Sequence, residues 1–177
     1  LDPHIRFAIL SDSPDAATET LPDDQEILDA ASAGIAELNA RHAGGTNDRF
    51  FLFHRFRQWN EREGLWMGWE RKRGKIEEFN RLLRGATDTS FVVSVGDLAI
   101  LPQVRYCITL DADTRLPRDA ARQLIGIIEH PLNRPHFDPA QQRVTHGYGI
   151  LQPRVSVTMA SASGSTFARV YAGHTGV

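Results

Sequence analysis

Apolar positions along this chain gather into short blocks separated by polar turns, and the blocks change period from one to the next. Ile5 to Leu10 is a compact apolar run that enters Ser11-Asp12-Ser13-Pro14-Asp15, so it reads as a short buried strand followed by a turn. Ile27, Ala31, Ile35 and Leu38 recur at helical spacing after Asp23 and Asp24. This predicts a helix capped by those aspartates, running to about His42 and stopped by Gly44 and Gly45. Phe50 to Phe56 is an aromatic strand candidate. Gln58 to Gly68 mixes two tryptophans, two glycines and charges without a period and is expected to be an ordered loop. Lys75 to Leu83 places Ile76, Phe79, Leu82 and Leu83 on one helical face before Gly85.

The second half continues the alternation. Phe91 to Val95 is a further strand candidate, and Val104 to Leu110 another. A helix is expected from about Pro117 to Glu129, with proline in its first turn and Pro131 beyond its end. A long polar loop from Asn133 to His146 then leads to a strand over Gly147 to Gln152. The tail from Ser161 is rich in small residues, with a short helix around Phe167 to Tyr171. Alternating strands and helices argue for an α/β fold with a parallel or mixed sheet covered by helices on both faces. The length of 177 residues suits a single domain spanning 1–177.

Composition narrows the class. Hydrophobic residues make up 41% and charged residues 24%, an ordinary globular balance. A net charge of −2 gives no reason to expect nucleic acid as a partner. The one cysteine, Cys107, excludes a disulfide within the chain and makes a reducing compartment the default. No run of 18 apolar residues is present, so no membrane span is expected and the chain reads as soluble. It begins at Leu1 with no signal-peptide pattern, and an excised piece of a larger protein is expected. None of the histidines forms a metal-ligand spacing.

The candidate chemistry sits in Tyr106-Cys107-Ile108-Thr109-Leu110-Asp111-Ala112-Asp113-Thr114. Two carboxylates one residue apart repel each other unless a cation lies between them. The pattern suits Mg2+ or Mn2+ serving a phosphorylated substrate. Asp12 also follows a strand, and in α/β sheets ligands bind beyond the carboxyl ends of strands. Both acidic sites are therefore expected to face one crevice. A second cluster, Glu70-Arg71-Lys72-Arg73-Gly74-Lys75, sets four cations before an amphipathic helix. A bound anion at that helix start would relieve their conflict with the helix dipole.

Three readings fit the acidic pair. A nucleotide-sugar glycosyltransferase would use it to hold a cation beside a diphosphate leaving group. A phosphatase of the haloacid dehalogenase type would use Asp111 as nucleophile, although Arg115 stands where that motif has Thr or Val and little chain follows. A non-catalytic interaction domain would use the pair only to cap the next helix. Metal-dependent nucleotide-sugar binding, phosphatase turnover, or indifference to both tells them apart.

Longer blocks favour the first. Phe53-His54-Arg55-Phe56-Arg57-Gln58-Trp59-Asn60, with its continuation through Glu61 to Lys75, resembles the central region of bacterial cyclic β-1,2-glucan synthases. So do Ile108 to Asp119, His130 to Pro135, and Gly147-Tyr148-Gly149-Ile150-Leu151-Gln152-Pro153-Arg154-Val155. The resemblance implies a piece of a cellulose-synthase-like glycosyltransferase domain with the GT-A (nucleotide-diphospho-sugar transferase, Rossmann-like) fold. It implies a UDP-glucose donor, a β-glucan acceptor, an inverting transfer and a Mg2+ or Mn2+ cofactor. The parent would lie at the cytoplasmic face of the bacterial inner membrane, with the rest of the synthase as partner and the oligomeric state left open. Carried over, Asp111 and Asp113 hold the metal, with Asp111 also nearer the ribose or sugar. Asp12 contacts the nucleoside, Lys75 lies near the donor, and Gln152 and Arg154 line the acceptor side. The family's opening strand has no counterpart before Ile5. Its catalytic Asp and Gln-x-x-Arg-Trp-like motif have none between Asp113 and Val177, so the base is expected beyond Val177 and the isolated piece is expected to be inactive.

Overall fold

The computed structural model describes residues 4–42, 48–154, 162 and 164–171. They fall into two compact units, residues 1–105 and 106–177, each treated by itself.

The first unit is built on a three-stranded mixed sheet. β1 (Phe7–Asp12) runs parallel to β2 (Phe50–Arg55), and β2 is antiparallel to β5 (Phe91–Val95), with β2 in the centre. Parallel neighbours need a crossover, and α1 (Asp24–Arg41) supplies it. Because side chains alternate along a strand, the central strand feeds two cores. Leu52 meets Leu28 and Ile35 of α1 on one face. Phe51 and Phe53 meet Phe79 of α2 (Arg71–Leu83), together with Ile100 and Leu101 of a 3-10 turn over Leu98–Gln103. Phe53 stands edge-on to Phe79 at 5.1 Å. Helices thus cover both faces of this sheet, as the alternating blocks predict.

Details of α1 differ from expectation. Asp23 makes no side-chain cap bond; Asp24 instead accepts from the Leu21 amide at 2.8 Å. Its far end is tied to β2 by Asn39, whose side chain accepts from the amides of Arg49 and Phe50 and donates to the Phe50 carbonyl. The expected glycine stop at Gly44 and Gly45 lies outside the described residues.

The stretch expected to be a loop from Gln58 to Gly68 is a hairpin of β3 (Gln58–Asn60) and β4 (Leu65–Met67). Trp59 and Trp66 face each other across it at 5.9 Å, and Asn60 closes the turn by accepting from the amides of Arg62 and Glu63. Strands of three residues are too short to show a period, which is why the pattern concealed them.

The second unit departs further. Val104 to Leu110 is not a strand: it has strand composition but pairs with no strand among the described residues, and a strand exists only by its ladder. Gly147 to Gln152 is irregular for the same reason. The expected polar loop instead contains an antiparallel pair, β6 (His136–Asp138) and β7 (Arg143–His146). Asp138 organises the connection by accepting from the amides of Ala140 and Gln141. α3 (Ala120–Glu129) starts three residues later than expected, after Asp119 in a left-handed conformation, and a short 3-10 turn follows at Pro131–Asn133. α4 (Thr166–Tyr171) matches the expected tail helix. Among the described residues, no helix is long and apolar enough to cross a membrane.

Candidate functional site

Register brings the first group of predicted residues together. Asp12 and Arg55 are the last residues of β1 and β2 and pair directly in the parallel ladder. They lie on the face that carries Leu10, Phe51 and Phe53, toward α2. Arg55 is fully buried, and its Nε donates to Asp12 Oδ1 at 2.7 Å. Its Nη1 donates to Glu78 Oε2 at 2.7 Å and to the Trp69 carbonyl at 3.2 Å. Its Nη2 donates to the Arg71 carbonyl at 3.0 Å. Lys75, from the first turns of α2, reaches the other oxygen of Asp12 at 3.1 Å. Asp12 and Lys75, both assigned to the donor by resemblance, are therefore partners, and their side chains keep 16% and 19% exposure.

Two buried cations and their carboxylates stabilise this end of the sheet. Burial works against the charge of Arg55, but hydrogen bonds with Asp12 and Glu78 outweigh it and raise its pKa. Burial would raise the pKa of Glu78; bonds from Ser90 and Arg55 overcome this and lower it. Arg57 is also buried and binds the Glu19 carbonyl and both oxygens of Asp24. That hydrogen bond, with the one from the Leu21 amide, lowers the pKa of Asp24. On the opposite sheet face, His54 spans Ser11 Oγ at 2.9 Å and Ser13 Oγ at 3.2 Å. Its burial lowers its pKa.

The basic run opens α2 itself, which begins at Arg71 rather than Lys75. Arg71, Arg73 and Lys75 of this run find protein carboxylates. Arg71 binds Asp15 and Glu63, and the bonds to Glu63 and then Asp15 raise its pKa. Arg73 pairs with Glu70 and Glu77 and lies over the Trp69 ring. Gly74 does admit a close backbone approach, but the group admitted is the Trp69 carbonyl: a Cβ there would sit 2.1 Å from that oxygen. Glu70 and Arg71 enter the helix at φ values of 50° and 47°.

The second predicted group belongs to the other unit. Asp111 and Asp113 occupy an exposed turn closed by the Thr114 amide donating to the Asp111 carbonyl at 3.0 Å. Their donor set fits a hard divalent cation, which takes one or two carboxylates and completes its shell with water and phosphate oxygens. Among the described residues, no cluster of three His, Cys, Asp or Glu side chains stands ready to hold a metal by itself. Gln152 and Arg154 are exposed in the irregular segment after β7. Arg55, Glu78, Ser90 and Gly68 were not anticipated. A signal for the first existed: Arg55 continues the Phe51-Phe53 alternation, placing a cation where the pattern demands an inward residue.

No family model matches the chain. Over 175 residues, 98% of its length, it is 48% identical to the cyclic beta-(1,2)-glucan synthase NdvB of Rhizobium meliloti. The chain resembles a segment of a cyclic β-1,2-glucan synthase. The likeness argued from the blocks between Phe53 and Val155 is thereby borne out. The chain spans only 6% of that glucan synthase, so it corresponds to a small part of such a protein.

Proposed function

We propose that this chain is the donor-binding part of an inverting glycosyltransferase of GT-A type, which uses UDP-glucose in cyclic β-1,2-glucan synthesis. The 48% identity to a glucan synthase over nearly the whole chain supports this most strongly, and it favours the transferase over the phosphatase reading. Asp12 takes the nucleoside and Lys75 the anionic part of the donor, while Asp111 and Asp113 hold Mg2+ or Mn2+. Gln152 and Arg154 serve the acceptor side. The bound cation would offset the charge developing on the departing diphosphate.

The chain's own residues supply orientation and charge. Lys75 is held beside Asp12 at a strand end, where its ammonium can turn from that carboxylate to a diphosphate oxygen. Asp12 remains fixed through Arg55 and can accept a hydrogen bond from the nucleoside. Attack by an acceptor hydroxyl on the anomeric carbon needs a general base, worth on the order of 10²–10⁴-fold. No residue between Asp113 and Val177 matches the family's base, so the chain is expected to bind donor without transferring glucose.

Competition binding tests the donor class. UDP should bind about tenfold more tightly than ADP in the presence of Mn2+. Equal affinity for the two, or phosphatase turnover on a phosphomonoester, would contradict the reading.

A further inference from the structure

We infer that Arg55 is a positioning residue of the donor site: it locks Asp12 and the entrance of α2 into one rigid unit, so that Lys75 can leave Asp12 for a nucleoside diphosphate without Asp12 moving. The inference rests on the reading of Asp12 and Lys75 as donor contacts.

Arg55, Glu78, Asp12 and Lys75 form a quartet with two positive and two negative charges. Its inner half is hidden, with side-chain exposure of 0% for Arg55 and 8% for Glu78. Its outer half, Asp12 and Lys75, meets water. The inner half is anchored independently of the outer, because Glu78 Oε1 also accepts from the Ser90 amide at 3.0 Å. Removing Lys75 from Asp12 would therefore leave Arg55 neutralised by Glu78 and Asp12 still held at Nε.

The guanidinium also binds the carbonyls of Trp69 and Arg71, which flank Glu70 on the left-handed path into α2. Non-glycine residues there are strained and persist only where their surroundings enforce them. One planar fork thus sets both the strand-end carboxylate and the direction in which the helix presents Lys75. A lysine could not, because its ammonium gathers its donors at one compact point charge and lacks the planar fork. Gly68 leaves the necessary room: a Cβ there would stand 3.0 Å from Arg55 Nη2 and 3.1 Å from Asp12 Cγ.

The test is a double-mutant cycle read by calorimetric titration of UDP with Mn2+ on the 177-residue chain, with thermal unfolding followed alongside. Asp12→Asn and Arg55→Lys should each weaken UDP binding about tenfold, and the double variant should bind no more weakly than Asp12→Asn alone. A residue that only stabilises the fold would lower the melting temperature without that coupling. Arg55→Lys at wild-type affinity, or effects that multiply, would overturn the proposal. An unchanged affinity in Asp12→Asn would instead overturn the donor reading of Asp12 on which it rests. Should Arg55→Lys fail to fold, Gly68→Ala decides, since it keeps every charge. A folded variant with about tenfold weaker binding supports the lock, and wild-type affinity overturns it.

Discussion

At the residue scale, the stability of the first unit rests on ionisable groups buried at one end of its sheet. His54 has a folded pKa below its ordinary 6.5. Its contribution is therefore complete above that pH and is lost as pH falls toward the folded value. Glu78 has a folded pKa below its ordinary 4.5, so its contribution is complete above that pH and disappears as pH falls through the folded value. Urea unfolding across pH should show stability falling in these two successive windows, and His54→Gln should flatten the upper one alone. A stability that rose on acidification below 6.5 would contradict the His54 environment. Gly74→Ala makes a second prediction. Its new methyl would overlap the Trp69 carbonyl at 2.1 Å, so the protein should lose about 1–3 kcal/mol in urea unfolding.

At the element scale, the sheet's alternation gives contrasting expectations. Phe53 on the central strand is 1% exposed, and Phe53→Ala should cost about 3–5 kcal/mol. Ile9 on β1 is 53% exposed, and Ile9→Ala should change stability by no more than about 0.5 kcal/mol. Elements with a clear apolar pattern were legible in the sequence: β1, α1, β2, α2 and β5 each lie within a few residues of their expected positions. However, β1, expected to be buried, is an edge strand with Phe7, Ala8 and Ile9 exposed, because among the described residues only β2 pairs with it and little packs over its outer end. The two hairpins were not, because each is specified by a turn-closing side chain, Asn60 or Asp138, and not by a hydrophobic period. Val104 to Leu110 failed in the opposite sense. Its composition says strand, yet strand formation depends on a neighbour that no local pattern can supply. Of the candidate site, Asp12 and Lys75 were legible as a charged strand end and a helix start. The guanidinium that organises them was hidden inside an aromatic run.

At the scale of the molecule, the two units differ in how they are held. Among the described residues, every buried hydrophobic core residue lies between Leu28 and Leu101, whereas α3 buries none of its residues. Leu132 and Ile150 are more than four-fifths exposed. Local opening is easiest where few apolar groups are buried. Hydrogen exchange on the whole chain should therefore find the amides of Phe51, Leu52 and Phe53 the most protected and those of α3 among the first to exchange. Uniform protection across both units would contradict this picture.

The same scale carries the central functional claim, that a segment resembling part of a glucan synthase holds a nucleotide-sugar donor through a cation at Asp111 and Asp113. Calorimetric titration of UDP into the wild-type chain and Asp113→Ala, each with and without Mn2+, tests it most directly. The expected result is binding by wild type that strengthens about tenfold with Mn2+, and an Asp113→Ala protein in which that gain is lost. Equal affinity in both proteins, unchanged by Mn2+, would contradict the claim.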